Sequence, residues 1–236
     1  LSGGIYYGDK TESQGGDSAT DSCPYTAAEV DRIAHLAFKA AISRRKKLTL
    51  VDKANVLATS RLWRSRVKEL AKSYPEVTVD YLYVDNAAMK ILLNPRQFDV
   101  ILTDNMFGDI LSDESSVISG SIGLLASTSL GDDSVLFEPI HGSFPDMKGK
   151  DQANPLATIL SVALLLDHFK LHEEADAVRN AAEKSIELNI TTPDINDTKK
   201  FALTTVVGDF ISEYIIDYKS VLYKVENMSL GQSTII

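Results

Sequence analysis

Apolar and polar residues follow one another in short blocks along this chain, and their spacing changes from block to block. Val30, Ile33, Ala34, Ala37, Phe38 and Ala41 recur at helical spacing and form one apolar stripe. Ahead of them Thr26 and Glu29 stand three apart, the spacing of a capping box, in which the hydroxyl accepts from a free backbone N–H and the carboxylate reaches back. The basic cluster Arg44 to Lys47 suits the negative end of that helix and reads as a solvated last turn. Leu48 to Val51 reads as a short buried strand, and residues 60–73 as a polar-faced helix with Trp63 as a packing residue. Val77, Val79, Tyr81 and Tyr83 alternate with more polar residues in the manner of a strand. Ala87 to Leu93 predicts a short helix stopped before Asn94-Pro95, because the residue before proline is driven out of the helical region. Phe98 to Leu102 reads as another strand, followed by a small-residue helix from about Gly108 to Leu125. A strand near Val135 to Phe137 and helices at about 155–169, 172–189 and 204–219 complete the pattern. Strands alternate with helices throughout, which predicts an α/β architecture. Residues 9–23 are polar with a Gly pair and read as an exposed excursion, and residues from about 224 read as a tail.

Composition narrows the classes. A length of 236 residues accommodates one large domain or two modest ones, and 44% hydrophobic residues is ordinary for a globular core. A net charge of −9 argues against a broad nucleic-acid or anionic-membrane footprint. The longest apolar stretch, Leu156 to Leu166, falls well short of the roughly 20 residues that cross a bilayer, so it reads as a buried helix. The single cysteine, Cys23, cannot form an internal disulfide, which fits a reducing cytoplasmic setting. The chain opens at Leu1, already inside structured-looking sequence and without an initiator Met, and is read as a fragment or a processed product.

Three places offer chemistry. Asp109 and Asp113 are four apart, so on a helix they share a face; like charges there repel unless a cation or donors lie between them, and oxygen-only ligation suits Mg²⁺ or Mn²⁺. Taken alone, the pair also reads as an acidic helix start. Lys53 follows the apolar run LTLV after Asp52, at a strand's C-terminal end, where α/β proteins place their sites and a partly buried lysine can act as a base. Residues 137–155 combine His141, Gly142, Ser143, Pro145, Asp146, Gly149 and Asn154 in a long loop that ends at a helix start, a place with free N–H groups for phosphate. No GxGxxG fingerprint occurs in the sequence, so a Rossmann site is not supported.

Six segments in order, GGIYYG (3–8), VDKANVL (51–57), YVDNAAM (83–89), TDNMFGDILSD (103–113), GLLASTSLG (123–131) and EPIHGSFPDMKGKDQANP (138–155), resemble the isocitrate/isopropylmalate dehydrogenase family. The resemblance implies an isopropylmalate dehydrogenase-like two-domain α/β fold, not Rossmann. Residues 1–119 would belong to the dimerisation and catalytic domain with its arm, 120–220 to the cofactor-loop domain and 221–236 to a tail, with the family's N-terminal portion absent. It further implies NAD-dependent oxidative decarboxylation of 3-isopropylmalate, with isocitrate, homoisocitrate or tartrate as the alternative substrates.

By position, Tyr6 matches the tyrosine that protonates the enol carbon, and Lys53 the lysine that takes the hydroxyl proton. Asp85, Asp109 and Asp113 match the Mg²⁺- or Mn²⁺-binding aspartates. Asn55 matches a residue near the nicotinamide, and Glu138, His141, Gly142, Ser143, Asp146 and Asn154 match the NAD-binding loop and its flanks. The implied assembly is a homodimer with composite active sites, the lysine and one aspartate coming from the partner, acting on a 2-hydroxy dicarboxylate, with no nucleic acid and no membrane. The chain departs from the family pattern at Ala126, Phe144 and DINDTKKFALT (194–204), and the arginines that clamp the substrate carboxylates would precede Leu1. The 236 residues made alone are therefore expected to be inactive, and a remnant retaining only dimerisation or NAD association is the reading from a different class.

Overall fold

The computed structural model describes residues 3–195 and 201–217. It divides into two compact units, Leu1–Ser115 and Ser116–Ile236. The expected tail, 221–236, and the last two residues of the helix expected over 204–219 lie outside the described residues.

In the first unit the polar excursion is an antiparallel ribbon of β1 (Lys10–Glu12) and β2 (Ala19–Asp21), with Lys10 opposite Asp21 and every strand residue exposed. Helix α1 (Ala27–Ile42) starts at the expected capping box: the Glu29 amide donates to the Thr26 hydroxyl at 3.3 Å, and the Thr26 amide donates to the Glu29 carboxylate at 2.7 Å. Its stripe buries Val30, Ala34, Ala37, Phe38 and Ala41, while Ile33 at the stripe's edge stays exposed. Beyond it come β3 (Lys47–Asp52), α2 (Ala58–Leu70), β4 (Thr78–Tyr83), α3 (Val84–Leu93), β5 (Val100–Thr103) and α4 (Asn105–Ser119). The turn after α1 is more than a solvated end: Arg44 pairs with Asp99 at 2.9 Å, and the Arg45 amide donates to the same buried carboxylate at 2.9 Å, pinning the turn beside β5.

The three strands β3, β4 and β5 form a parallel sheet in the order β4-β3-β5. Successive side chains of β3 point to opposite faces. Leu48 and Leu50 meet Phe38 of α1 and Trp63 and Val67 of α2, whereas Val51 meets Ala87 and Ile91 of α3 and Leu111 of α4. Both faces are thus covered, as a parallel sheet requires. The register sets Asp52 opposite Tyr83 and Val51 opposite Thr103, so Lys53, Val84 and Asp104 leave the sheet along one edge.

The helix expected from Gly108 to Leu125 begins three residues earlier and ends at Ser119. Gly120 has φ +100°, a conformation side-chain-bearing residues avoid, and Ser121 caps a separate 3-10 turn over Ile122–Leu124. In the second unit β6 (Ala126–Leu130) pairs antiparallel with β7 (Val135–Pro139), placing Ser127 opposite Glu138. Helices α5 (Leu156–His168), α6 (His172–Glu187) and α7 (residues 204–217) share a core of Leu156, Ala181, Ala182, Val207, Phe210 and Ile211.

Candidate active site

Lys53 and Asp85 leave the neighbouring strands β3 and β4 at the same edge, and the Lys53 Nζ donates to an Asp85 carboxylate oxygen at 2.7 Å. The Lys53 side chain is 28% exposed and that of Asp85 67%, so the pair lies at the surface with the lysine the more covered partner. The hydrogen bond from Lys53, followed by Asp85's own backbone amide, holds the carboxyl below the ordinary carboxylate range. Asp85 also lies in the first turn of α3, where the helix end favours a negative charge. Asn55 is exposed in the turn that closes when the Val56 and Leu57 amides each donate to the Lys53 carbonyl at 2.9 Å.

A second pair forms elsewhere in the same unit. The Tyr6 hydroxyl, on a ring 59% exposed, donates to Asp109 at 3.4 Å. Local backbone chemistry sets this contact. Gly4 has φ +84°, and a Cβ there would lie 2.5 Å from the Tyr25 hydroxyl, so the chain passes against the Tyr25 ring only as glycine. That same hydroxyl accepts the Asn105 amide at 3.1 Å, tying the segment that carries Tyr6 to the start of α4. Asp104 completes the start of α4 by accepting the Phe107 amide at 3.0 Å; burial pushes this carboxyl up. Tyr25 and Asp104 were not singled out from sequence, though an Asp immediately before a helix is a capping signal.

Asp109 and Asp113 are exposed one turn apart on α4, with Phe107 and Leu111 turned into the core and Ile110 outward beside them. Asp85 is not brought to them. Among the described residues no three Asp, Glu, His or Cys side chains converge in a way that could hold a metal ion within one chain.

In the second unit Glu138 is exposed on β7, and Gly142, Ser143 and Asp146 are exposed in the loop beyond it. His141 Nδ1 lies 3.0 Å from the Gly142 carbonyl, while its buried Nε2 has no hydrogen-bond partner. A Cβ on Gly142 would meet nothing within 4 Å, so the backbone there stands open. Asn154 closes the loop at the start of α5. Its side-chain Oδ1 accepts the Leu156 backbone amide at 2.9 Å and starts α5, and its side-chain Nδ2 donates to Asp194 at 2.9 Å. Asp194 also accepts from Thr192 at 2.6 Å and from Ser121. Burial pushes the Asp194 carboxyl up, and the hydrogen bonds from Ser121, Thr192 and Asn154 outweigh it, leaving it below the ordinary range. Asp194 was seen in the sequence only as part of a departure from the family pattern.

A parallel sheet that delivers a lysine–carboxylate pair at its C-terminal edge, with a tyrosine–carboxylate pair elsewhere in the same unit, defines an α/β protein with acid–base groups where such folds place their sites. The chain belongs to the isocitrate/isopropylmalate dehydrogenase family, whose profile matches residues 1–211. It is 52% identical over 217 residues to 3-isopropylmalate dehydrogenase of Bacteroides fragilis, covering 91% of this chain and 61% of that protein. With 3-isopropylmalate dehydrogenase of Clostridium acetobutylicum it is 55% identical over 199 residues, covering 83% of this chain and 56% of that one. The chain thus spans about 60% of the length of the curated relatives it matches. Among solved structures, isocitrate dehydrogenase from Methylococcus capsulatus superposes with TM-score 0.86 at 36% identity, over 90% of this chain and 64% of that one. A β-decarboxylating dehydrogenase from Thermococcus kodakarensis in its apo form gives 0.78 at 37% identity, over 91% and 62%.

Proposed function

We propose that the full-length gene product carries out NAD-dependent, metal-assisted oxidative decarboxylation of 3-isopropylmalate to 4-methyl-2-oxopentanoate and CO₂, a step of leucine biosynthesis. The observation that carries the reading is the 2.7 Å Lys53–Asp85 contact at the sheet edge, in a chain 52% identical to a 3-isopropylmalate dehydrogenase. Identity to relatives of that name exceeds the 36% shared with the isocitrate dehydrogenase, which favours isopropylmalate among the family's substrates.

Lys53, as the neutral amine, takes the proton from the substrate hydroxyl, and Asp85 holds the ammonium that results at the edge where the substrate lies. Tyr6 returns a proton to the carbon left by CO₂, and its contact with Asp109 orients the hydroxyl for that transfer. Asp109 and Asp113 suit a hard divalent cation by their oxygen-only chemistry and same-face spacing; among the described residues no third ligand joins them within one chain, and Asp85 of a second copy completes the set. Glu138, Gly142, Ser143 and Asp146 fit NAD through an exposed, open loop backbone, and the unpartnered buried His141 Nε2 is a polar atom that a cofactor can satisfy. Asn154 serves NAD by fixing the end of that loop, and Asn55 lies in the turn beside Lys53. When bound, NAD supplies hydride acceptance and the cation supplies polarisation of the hydroxyl and carbonyl oxygens.

The homodimer follows from the same need for a second copy. Met89, Leu92 and Leu93 of α3, which carries Asp85, and Met106 and Ile110 of α4, which carries Asp109 and Asp113, are exposed, apolar surface of the kind subunit interfaces cover. A cytoplasmic enzyme fits the absence, among the described residues, of any helix long and apolar enough to cross a membrane. The test is NADH formation by the full-length protein with Mn²⁺ and each of 3-isopropylmalate, isocitrate, homoisocitrate and tartrate. The highest kcat/KM is expected for 3-isopropylmalate, and a clear preference for any other acid would overturn the substrate assignment.

A further inference from the structure

Arg64 of α2 reaches across the ends of the two strands that deliver Lys53 and Asp85. Its guanidinium makes both arms of a fork to Asp52, Nε to one oxygen and Nη2 to the other, each at 2.8 Å. Asp52 is only 2% exposed, so this is a desolvated carboxylate with a matched planar partner. The same guanidinium lies 5.5 Å from the Tyr81 ring centre and 5.3 Å from that of Tyr83, both on β4. One side chain thereby holds the last residue of β3 and the last residue of β4, and these two face each other in register.

The consequences run directly into the pair. Asp52 immediately precedes Lys53 and accepts the Ala54 amide at 2.9 Å, so the backbone on both sides of Lys53 hangs on the carboxylate that Arg64 clamps. Ser60 of α2, 1% exposed, accepts the Lys53 amide at 3.0 Å from the same helix. Tyr83 is two residues before Asp85. Neither Arg64 nor Asp52 hydrogen-bonds or ion-pairs with the Lys53 Nζ, yet together they fix where both halves of the Lys53–Asp85 contact begin.

We infer that Arg64 is a positioning residue for proton abstraction: through Asp52, Tyr81 and Tyr83 it sets the register of the Lys53 Nζ, the atom that takes the proton, with the Asp85 carboxylate. The inference rests on the proposed role of Lys53 as the base. A displacement of about 1 Å at a reacting group can lower a rate by about a hundredfold, and partners that orient such groups contribute 10- to 100-fold, to order of magnitude.

Two variants of the full-length protein separate positioning from folding. Arg64→Lys keeps a positive charge beside Asp52 but loses the fork. The double variant Asp52→Asn with Arg64→Gln removes the buried charge together with its partner, so no unpaired charge is left. Melting temperature, KM for 3-isopropylmalate, NAD affinity by fluorescence and kcat are measured for both, with Lys53→Met alongside. The expected result is kcat lower by roughly 10–100-fold in both, with KM and NAD affinity within about twofold and the melting temperature near that of the parent. Parental kcat in either folded variant, or kcat that recovers whenever the melting temperature does, overturns the inference. Appreciable turnover by Lys53→Met overturns instead the reading of Lys53 as the base, so the two failures are told apart.

Discussion

Asp109 is exposed, and its contact with the Tyr6 hydroxyl is a long 3.4 Å hydrogen bond, so neutralising it removes little folding energy. The proposed cation, by contrast, loses one of its anionic oxygen ligands. Asp109→Asn in the full-length protein is expected to lower metal-dependent kcat on the order of 100-fold, about 2.7 kcal/mol, and to raise the Mn²⁺ concentration needed for half-maximal rate. NAD affinity should be unchanged; a metal titration that superposes on the parent's would remove Asp109 from the cation site. Asp146, exposed in the loop after β7, bears on the choice of cofactor. A carboxylate accepts hydrogen bonds from ribose 2′- and 3′-hydroxyls but repels a 2′-phosphate, and no Arg or Lys stands at 144–147 to offset that. The kcat/KM with NAD is therefore expected to exceed that with NADP by at least about tenfold, with Asp146→Ser narrowing the gap. Equal use of both cofactors by the parent would mean Asp146 does not read the ribose. Residues with a local signature, such as Lys53 after its strand, could be found from spacing. Tyr25 and Asp99 could not, because their partners, Asn105 at one and Arg44 at the other, lie 80 and 55 positions away in sequence.

At the scale of elements, α1 and α2 are joined by a forked contact in which Arg66 donates to both carboxylate oxygens of Asp31, at 2.8 and 2.6 Å. The Arg66 hydrogen bonds hold the Asp31 carboxyl below the ordinary range. A carboxylate with a lowered folded-state pKa contributes stability above its unfolded pKa of about 3.9 and loses it as the pH falls through the folded value. Asp31→Asn is accordingly expected to lower unfolding free energy by about 0.5–1 kcal/mol at pH 7. In urea titrations the difference from the parent should close below about pH 3.9. A gap that persists at low pH would assign the loss to packing instead. Elements with strong periodicity were legible in the sequence: α1 with its capping box, and β3 with both faces apolar. β6 was not, because ASTSL is polar and becomes a strand through its pairing with β7. The expected helix through Leu125 overran because apolar residues continue past Gly120, whereas the backbone turns there. The polar ribbon of β1 and β2 gave no alternation to read, since neither of its faces is buried.

For the whole molecule, the proposed function divides the site into two incomplete halves carried by the first unit of each chain. Lys53 and Asp85 form one half, Tyr6 with Asp109 and Asp113 the other, and the three aspartates do not meet within a chain. The family resemblance in six ordered motifs made the residue types legible, but no local pattern reveals which of them share a site, because under the proposed function that depends on an assembly. A symmetric dimer brings complementary halves together twice. Co-expression of two inactive full-length variants, Lys53→Met and Asp109→Asn, tests this directly. In a mixed dimer one site inherits both substitutions and the other inherits neither, so random pairing should restore about one quarter of the parental NADH production with 3-isopropylmalate, NAD and Mn²⁺. A co-expressed, folded and dimeric mixture that stays as inactive as either variant alone would contradict the composite site and place all of these residues in one chain's site.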